Sequence, residues 1–125
     1  MKNAMEPCNR YIVHGIVLEI PRSLVTPAIH DALESGYYEH PEADELGELI
    51  QDGEVILEIG AGVGLISTIA ARNPRTRKVY AIEANPNLIP IIKRTHALNQ
   101  VEASVFNEVL GDANGIIDFA IHKDF

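Results

Sequence analysis

The sequence predicts an α/β fold built on one open, mostly parallel sheet with helices against its faces. Three observations carry this. From Glu54 onward, short apolar runs rich in Ile and Val alternate with helix-period segments through short links, the pattern of parallel strands joined by right-handed crossovers. A bare turn, "GAGVG", separates the first such strand from the first such helix. Finally, 125 residues at 46% hydrophobic content are enough for a single core.

"YIVHGIVLEI" (Tyr11–Ile20) reads as a strand or a bent strand pair. "TPAIHDALESG" is a short helix, capped by Thr26, opened by Pro27 and stopped by Gly36. "HPEADELGELI" is a second helix with acids in its first turn and Ala43, Leu46, Leu49 and Ile50 on one face, ending at Asp52-Gly53. Residues 1–53 thus form a strand and helical lead-in, and residues 54–125 the βαβαβ core of the same structural unit. In that core "EVILEIG" (Glu54–Gly60) is a strand of the buried type, and "VGLISTIAAR" a helix with Val63, Ile66, Ile69 and Ala70 inward. "KVYAIEA" (Lys78–Ala84) is the next strand. A helix from Asn85, Pro86 or Asn87 to about Asn99 turns Leu88, Ile91, Ile92 and Leu98 to the core. "SVFNEVL" (Ser104–Leu110) is a third strand. After the turn "GDANG", "GIIDFAIH" (Gly115–His122) returns as an antiparallel strand along it.

Charge narrows the function. Ten Lys plus Arg against eighteen Asp plus Glu give −8, which argues against nucleic acid and against an anionic membrane surface as partners. No Lys or Arg occurs from Ser23 to Ala71; Arg72, Arg75, Arg77 and Lys78 then arrive together, and both blocks read as solvated surface. A single cysteine, Cys8, permits no intrachain disulfide. "MKNAMEPCNRY" lacks the apolar centre of a signal peptide and no run is long enough to span a membrane, so a cytoplasmic location is expected.

In an open α/β sheet the ligand crevice lies beyond the carboxyl ends of the strands, where Gly60, Gly62 and Gly64 fall. Glycines there allow a ligand to approach the main chain, and the helix start adds free N–H donors. The spacing is G-x-G-x-G, with Leu65 where a dinucleotide loop has its third glycine and no Gly-Lys-Ser/Thr ending of a phosphate loop. Glu83, ending the second core strand, is placed to accept hydrogen bonds from both ribose hydroxyls of a nucleoside. By itself it does not separate a dinucleotide from S-adenosylmethionine.

"VILEIGAGVGLIS", "VYAIEANPNLIPIIKRTHALN", "VLGDANGIIDFAI" and the lead-in "GYYEHPEADELGELIQDGE" resemble S-adenosylmethionine-dependent methyltransferases of the FkbM type, over roughly Ile12 to Phe125. Many relatives of that type carry Asp and Asn where this chain has Glu58 and Val63. The resemblance implies a Rossmann-like class I methyltransferase fold and S-adenosyl-L-methionine as cofactor. By the same resemblance Glu58, Gly60, Ala61, Gly62 and Gly64 line the methionine and ribose portion, and Glu83 holds the ribose. Ala84 and Asn85 border the adenine, with Asn107 and Glu108 on its side, while Tyr38 and Glu39 cover the methionine end. It further implies O-methylation of a small-molecule or sugar hydroxyl acceptor.

No residue marks the acceptor or a general base. His14, His30, His40, His96 and His122 have no metal-ligand spacing, so no metal is expected. Each strand-plus-crossover unit takes about 30 residues, whereas fifteen follow Leu110. The chain therefore reads as the cofactor half of an incomplete class I fold, with doubtful catalytic competence alone. In class I methyltransferases the fourth strand pairs beside the first, so Val55–Ile59 is expected to be an open edge that invites homodimer formation. Two other functions stay open. One is a nicotinamide-nucleotide-binding domain, against which Leu65 speaks; the other is a non-catalytic interaction module, against which the retention of Glu58 and Glu83 speaks.

Overall fold

The computed structural model describes residues 6–125; the first part of the stretch read for a signal peptide lies outside them. Strands β1 (Cys8–Val13) and β2 (Ile16–Pro21) form an antiparallel hairpin, so the first apolar segment is a strand pair. His14 and Gly15 both take positive φ, 50° and 76°, the two-residue turn that matches the twist of paired strands. Helix α1 (Pro27–Ser35) starts on Thr26, whose hydroxyl accepts from the Ile29 N–H at 3.2 Å, and stops at Gly36 in the left-handed region. Helix α2 (Glu42–Leu49) follows.

The central sheet is three-stranded and parallel in the order β3 (Glu54–Ile59), β4 (Thr76–Ile82), β5 (Ser104–Phe106). Helix α3 (Leu65–Arg72) connects β3 to β4. A 3-10 turn (Pro86–Leu88) leads into α4 (Ile89–Leu98), which connects β4 to β5. Pro86 and Pro90 both fall where helix N–H groups lack partners, so neither breaks a bond. The class I methyltransferase type of α/β fold expected from the sequence is present in its first three parallel strands.

Among the described residues only one face of this sheet is covered. Ile56, Val79, Ala81 and Val105 point toward α3 and α4, and the hairpin packs over those helices from outside. Val13, Ile16, Leu18 and Ile20 meet Leu65, Ile91 and Ile92 in a core that also takes Ile29 and Leu33 of α1. Asn99 locks the hairpin to α4. Its side chain accepts from the Val17 N–H at 2.9 Å and donates to the Val17 and Thr95 carbonyls at 2.8 Å each, acting as a strand neighbour for β2.

Three expectations about strands are corrected. β3 is not buried on both faces: Val55, Leu57 and Ile59 are 46, 55 and 59% exposed, because nothing among the described residues covers the second face. Tyr80 and Phe106 stack on that same face. The third core strand ends at Phe106, not Leu110, because the Asn107 side chain donates to the Glu83 and Ala84 carbonyls at 2.9 Å and draws the chain across the end of β4. Gly115–His122 forms no strand; β5 is only three residues long and offers it no ladder, and Ile116, Ile117, Phe119 and Ile121 stay exposed. Among the described residues β3 pairs on one side only, with β4, which makes it an edge strand of this sheet. No helix among the described residues is long and apolar enough to cross a membrane.

Replacing Asn99 by Ala removes the link between hairpin and helix and leaves the backbone of Val17 unpaired. Urea unfolding should show a loss of about 1–3 kcal/mol; unchanged stability would mean that the hairpin docks through its apolar side chains alone.

Candidate functional site

The site is built where β3 and β4 end. The N–H groups of Gly60 and Ala61 both donate to the Ile82 carbonyl, at 2.8 and 3.0 Å, and turn the chain back over β4. The Gly64 N–H closes the turn on the Ala61 carbonyl at 2.9 Å. Two of its glycines are required for different reasons. At Gly62 (φ 58°) a Cβ would stand 3.0 Å from the Tyr38 hydroxyl, on the open side of the loop. At Gly64 (φ 88°) it would stand 3.2 Å from Cα of Ile92, so this glycine serves the close approach of α3 to α4. Gly64 and Ala61 are buried in packing and are not among the residues that line the cleft.

Glu83 follows β4 directly and is buried. Its N–H donates to the Phe106 carbonyl at 2.9 Å, holding it at the sheet end. One carboxyl oxygen accepts from the Gly62 N–H at 2.9 Å and the other from the Asn85 N–H at 3.2 Å. The Asn85 side chain in turn accepts from the Asn87 N–H at 3.0 Å and caps the turn before α4.

A cleft of about 280 Å³ opens above these groups. Tyr38, Glu39, Gly60, Gly62, Glu83 and Asn85, all singled out from the sequence, line it together with Leu88. Ala84, Asn107 and Glu108 do not; they border a separate cavity of about 580 Å³. The two spaces share Phe119. Glu58 is also absent from the cleft wall, yet it lies close enough to Glu39 and Glu83 to feel their charge. Burial, then Glu39, pushes its carboxyl up to about 8, against hydrogen bonding from Ser67. Burial, then the Glu42 charge, pushes Glu39 up to about 7. Burial and the neighbouring carboxyls drive the Tyr38 hydroxyl far upward, so it stays a neutral donor. Glu58 Oε2 and Glu39 Oε2 are buried with no hydrogen-bond partner.

Sequence reasoning missed four kinds of contributor. Leu88 carries a helical-period signal that pointed to core alone. Phe119, His122 and Phe125 reach the cleft because their segment crosses it, tied down where the Thr26 hydroxyl donates to Asp124 at 2.5 Å. Ser67 and His96, from α3 and α4, form a buried bond of 2.7 Å, and burial lowers the His96 pKa. His14 and His40 meet across Asp44, at 3.3 and 2.8 Å, with no spacing in the sequence to announce it.

This combination of a glycine turn at the end of one parallel strand and an acid at the end of the next agrees with the comparison to known families, in which the TRM5/TYW2 methyltransferase domain matches residues 37–123. The chain belongs to the TRM5/TYW2 methyltransferase domain family. It is 37% identical over 76 residues to a protein of Methanosphaera stadtmanae named "Probable ribosomal RNA small subunit methyltransferase A", spanning 61% of this chain and 24% of that one. Among solved structures it resembles Methanocaldococcus jannaschii TYW2 in complex with AdoMet, with a TM-score of 0.59 and 16% identity over 86% of this chain and 47% of that one. It also resembles M. jannaschii Trm5 in complex with adenosine, with a TM-score of 0.57 and 20% identity over 88% of this chain and 31% of that one. At such identities the likeness is one of fold.

Two expectations are corrected by these findings. The family is TRM5/TYW2 and not FkbM; the glycine turn and the strand-end acid that carried the resemblance belong to the wider class I fold. The small-molecule or sugar acceptor and the exclusion of nucleic acid fall as well, because the relatives are named for ribosomal RNA and, in the M. jannaschii "tRNA m1G37 methyltransferase", for tRNA. Net charge was the wrong quantity: it sums over a segment that covers a minor part of each relative, while phosphate contacts depend on where cations sit. The cofactor read from the sequence, S-adenosylmethionine, is the one held by the TYW2 structure.

The raised carboxyls give the ligand-free chain a defined pH response. Glu39 and Glu58 bind their protons more tightly folded than unfolded, so their contribution to stability is complete below the ordinary carboxyl range and is lost as pH rises through about 7 and about 8. Urea unfolding across that window should show falling stability, with a smaller decline for Glu58→Gln. A rise in stability across it would contradict the assignment.

Proposed function

We propose that the chain binds S-adenosylmethionine in the cleft at Gly60–Gly62 and Glu83, as the cofactor-binding part of an enzyme that methylates RNA. The observation that carries this reading is the placement of Glu83. Its two oxygens are fixed by the Gly62 and Asn85 amides, and each keeps a lone pair for a ribose hydroxyl. A pair of hydroxyls on adjacent carbons presents two donors at such a spacing.

The remaining residues divide around that anchor. Gly60 and Gly62 offer bare main chain to the methionine portion, with Tyr38, Glu39 and Glu58 around them. Asn85 and Leu88 border the base, and Ala84, Asn107 and Glu108 approach it from the neighbouring cavity. The fit is chemical as well as spatial: a bare turn for close approach, a bidentate acceptor for the ribose and unpartnered acids near a cofactor that carries positive charge. When bound, S-adenosylmethionine supplies an already activated methyl group as a sulfonium, which leaves the protein to hold and orient it. RNA as the acceptor class rests on the names of the relatives. The groups that would grip RNA are not assigned to this chain.

The nicotinamide alternative is disfavoured by Gly64, whose place is taken up by Ile92 of α4, and by Leu65, which is buried where a dinucleotide loop needs glycine. Calorimetric titration should show S-adenosylhomocysteine binding, and Glu83→Ala should weaken it by about 1–3 kcal/mol, the scale for losing hydrogen bonds to a charged group. Circular dichroism would confirm that the variant is folded. Unchanged affinity would remove Glu83 from the site, and tighter binding of NAD would overturn the ligand.

A further inference from the structure

We propose that Glu39 and Glu58 make the cleft select its cofactor by charge, holding the cationic S-adenosylmethionine and releasing the neutral product left after methyl transfer. This rests on the cofactor reading above and adds a rule for how the same site tells substrate from product.

The two acids differ from Glu83 in what their oxygens do. Both Glu83 oxygens are occupied by backbone amides. Glu39 and Glu58 each keep one buried oxygen, Oε2, with no partner at all. A buried acceptor without a donor is unfavourable, and it marks a place where a ligand donor or cation belongs. Three acids brought by three different segments converge here: Glu39 from the turn before α2, Glu58 from β3 and Glu83 from the end of β4. No Lys or Arg lines the cleft among the described residues; His122 is its one basic group. Glu39 is also held at φ 52°, a left-handed conformation uncommon for a residue with a side chain. Its direction toward Gly62 is therefore imposed by the surrounding fold, and its carboxyl comes 3.7 Å from where a Gly62 Cβ would be.

The reaction changes the charge that this arrangement meets. The methyl–sulfur bond breaks with its electron pair left on sulfur, the methyl carbon bonds to the acceptor, and the acceptor's proton leaves to solvent. The sulfonium becomes a thioether, and a ligand of net charge +1 becomes a zwitterion of net charge zero. The two acids then lose the sulfonium as a counter-charge and keep only the ligand's α-ammonium, in a site where Tyr38, Glu42 and Glu83 add no positive group, Ser67 and His96, whose pKa burial lowers, lie behind, and only His122 can add one. Burial, then the Glu42 charge, already pushes Glu39 up to about 7, and burial, then the Glu39 charge, pushes Glu58 up to about 8. A bound cation favours their ionised form, so binding of S-adenosylmethionine releases protons and tightens as pH rises through that range.

Calorimetry with three ligands separates the possibilities: S-adenosylmethionine, S-adenosylhomocysteine, and sinefungin, whose protonated amine stands at the sulfonium position. Each is titrated at about pH 6.5 and about pH 8.5, below and above the shifted carboxyls, in two buffers of different ionisation enthalpy to count protons. The two cationic ligands should bind about tenfold tighter than S-adenosylhomocysteine at the higher pH, with proton release that the neutral product does not share. Glu39→Gln should shrink that ratio by weakening the two cationic ligands more than S-adenosylhomocysteine; Glu58→Gln should do the same if it folds, and Glu39→Gln decides the matter if it does not. Equal or tighter binding of S-adenosylhomocysteine by the unmodified chain at the higher pH would overturn selection by charge. Failure of all three ligands to bind would instead overturn the cofactor reading itself.

Discussion

The hydrogen bonds from Gly62 and Asn85 to the Glu83 carboxyl group are the constraint on which the site depends. They join the loop leaving β3 to the loop leaving β4, adding a side-chain link to the bonds that the Gly60 and Ala61 N–H groups make to the Ile82 carbonyl. Glu83 is held from behind by the Phe106 carbonyl, so β5 supports the anchor although it is only three residues long. Asn107 then secures the carbonyls of Glu83 and Ala84. The loop after β3, the loop after β4 and the end of β5 thus all bond to one residue, Glu83. A ligand that meets Glu83 meets a group whose rotamer has already been chosen, which lowers the ordering cost of binding.

The packing around this anchor is one-sided. α3 and α4 fill one face of the sheet, and the hairpin, pinned by Asn99, closes the outer side of those helices. The opposite face presents Val55, Leu57, Ile59, Tyr80 and Phe106, and β3 has an unpaired edge. The cleft does not need that second face. Its walls come from strand ends, the segment at Tyr38–Glu39, the turn before α4 and the C-terminal segment that carries Phe119, His122 and Phe125. This separation explains how a chain spanning 24% of one relative and 47% of a structural neighbour still displays a formed cleft.

The sequence was most legible where one residue type answers one local demand. Thr26 and Gly36 bound a helix through capping and a left-handed stop, Gly62 and Gly64 occupy positive φ, and Glu83 ends an apolar strand. Each signal lies within a few residues of its effect. Long-range juxtaposition was not legible: Ser67 finds His96 across two helices, His14 finds His40 through the hairpin, and Phe119 reaches the cleft along a path without periodicity. The alternation in Gly115–His122 imitated a strand because pattern records which residues want burial, not whether a surface exists to receive them. Net charge misled in a similar way, since one total cannot say where cations gather.

The claim that the Glu83-centred cleft is the cofactor site is tested most directly by amide NMR on the isotopically labelled chain during titration with S-adenosylhomocysteine. The N–H signals of Gly60, Gly62 and Asn85 should move together and saturate at one common affinity, while those of the His14–His40 hollow stay in place. Shifts confined to other parts of the chain, or none at these three amides at saturating ligand, would contradict the account.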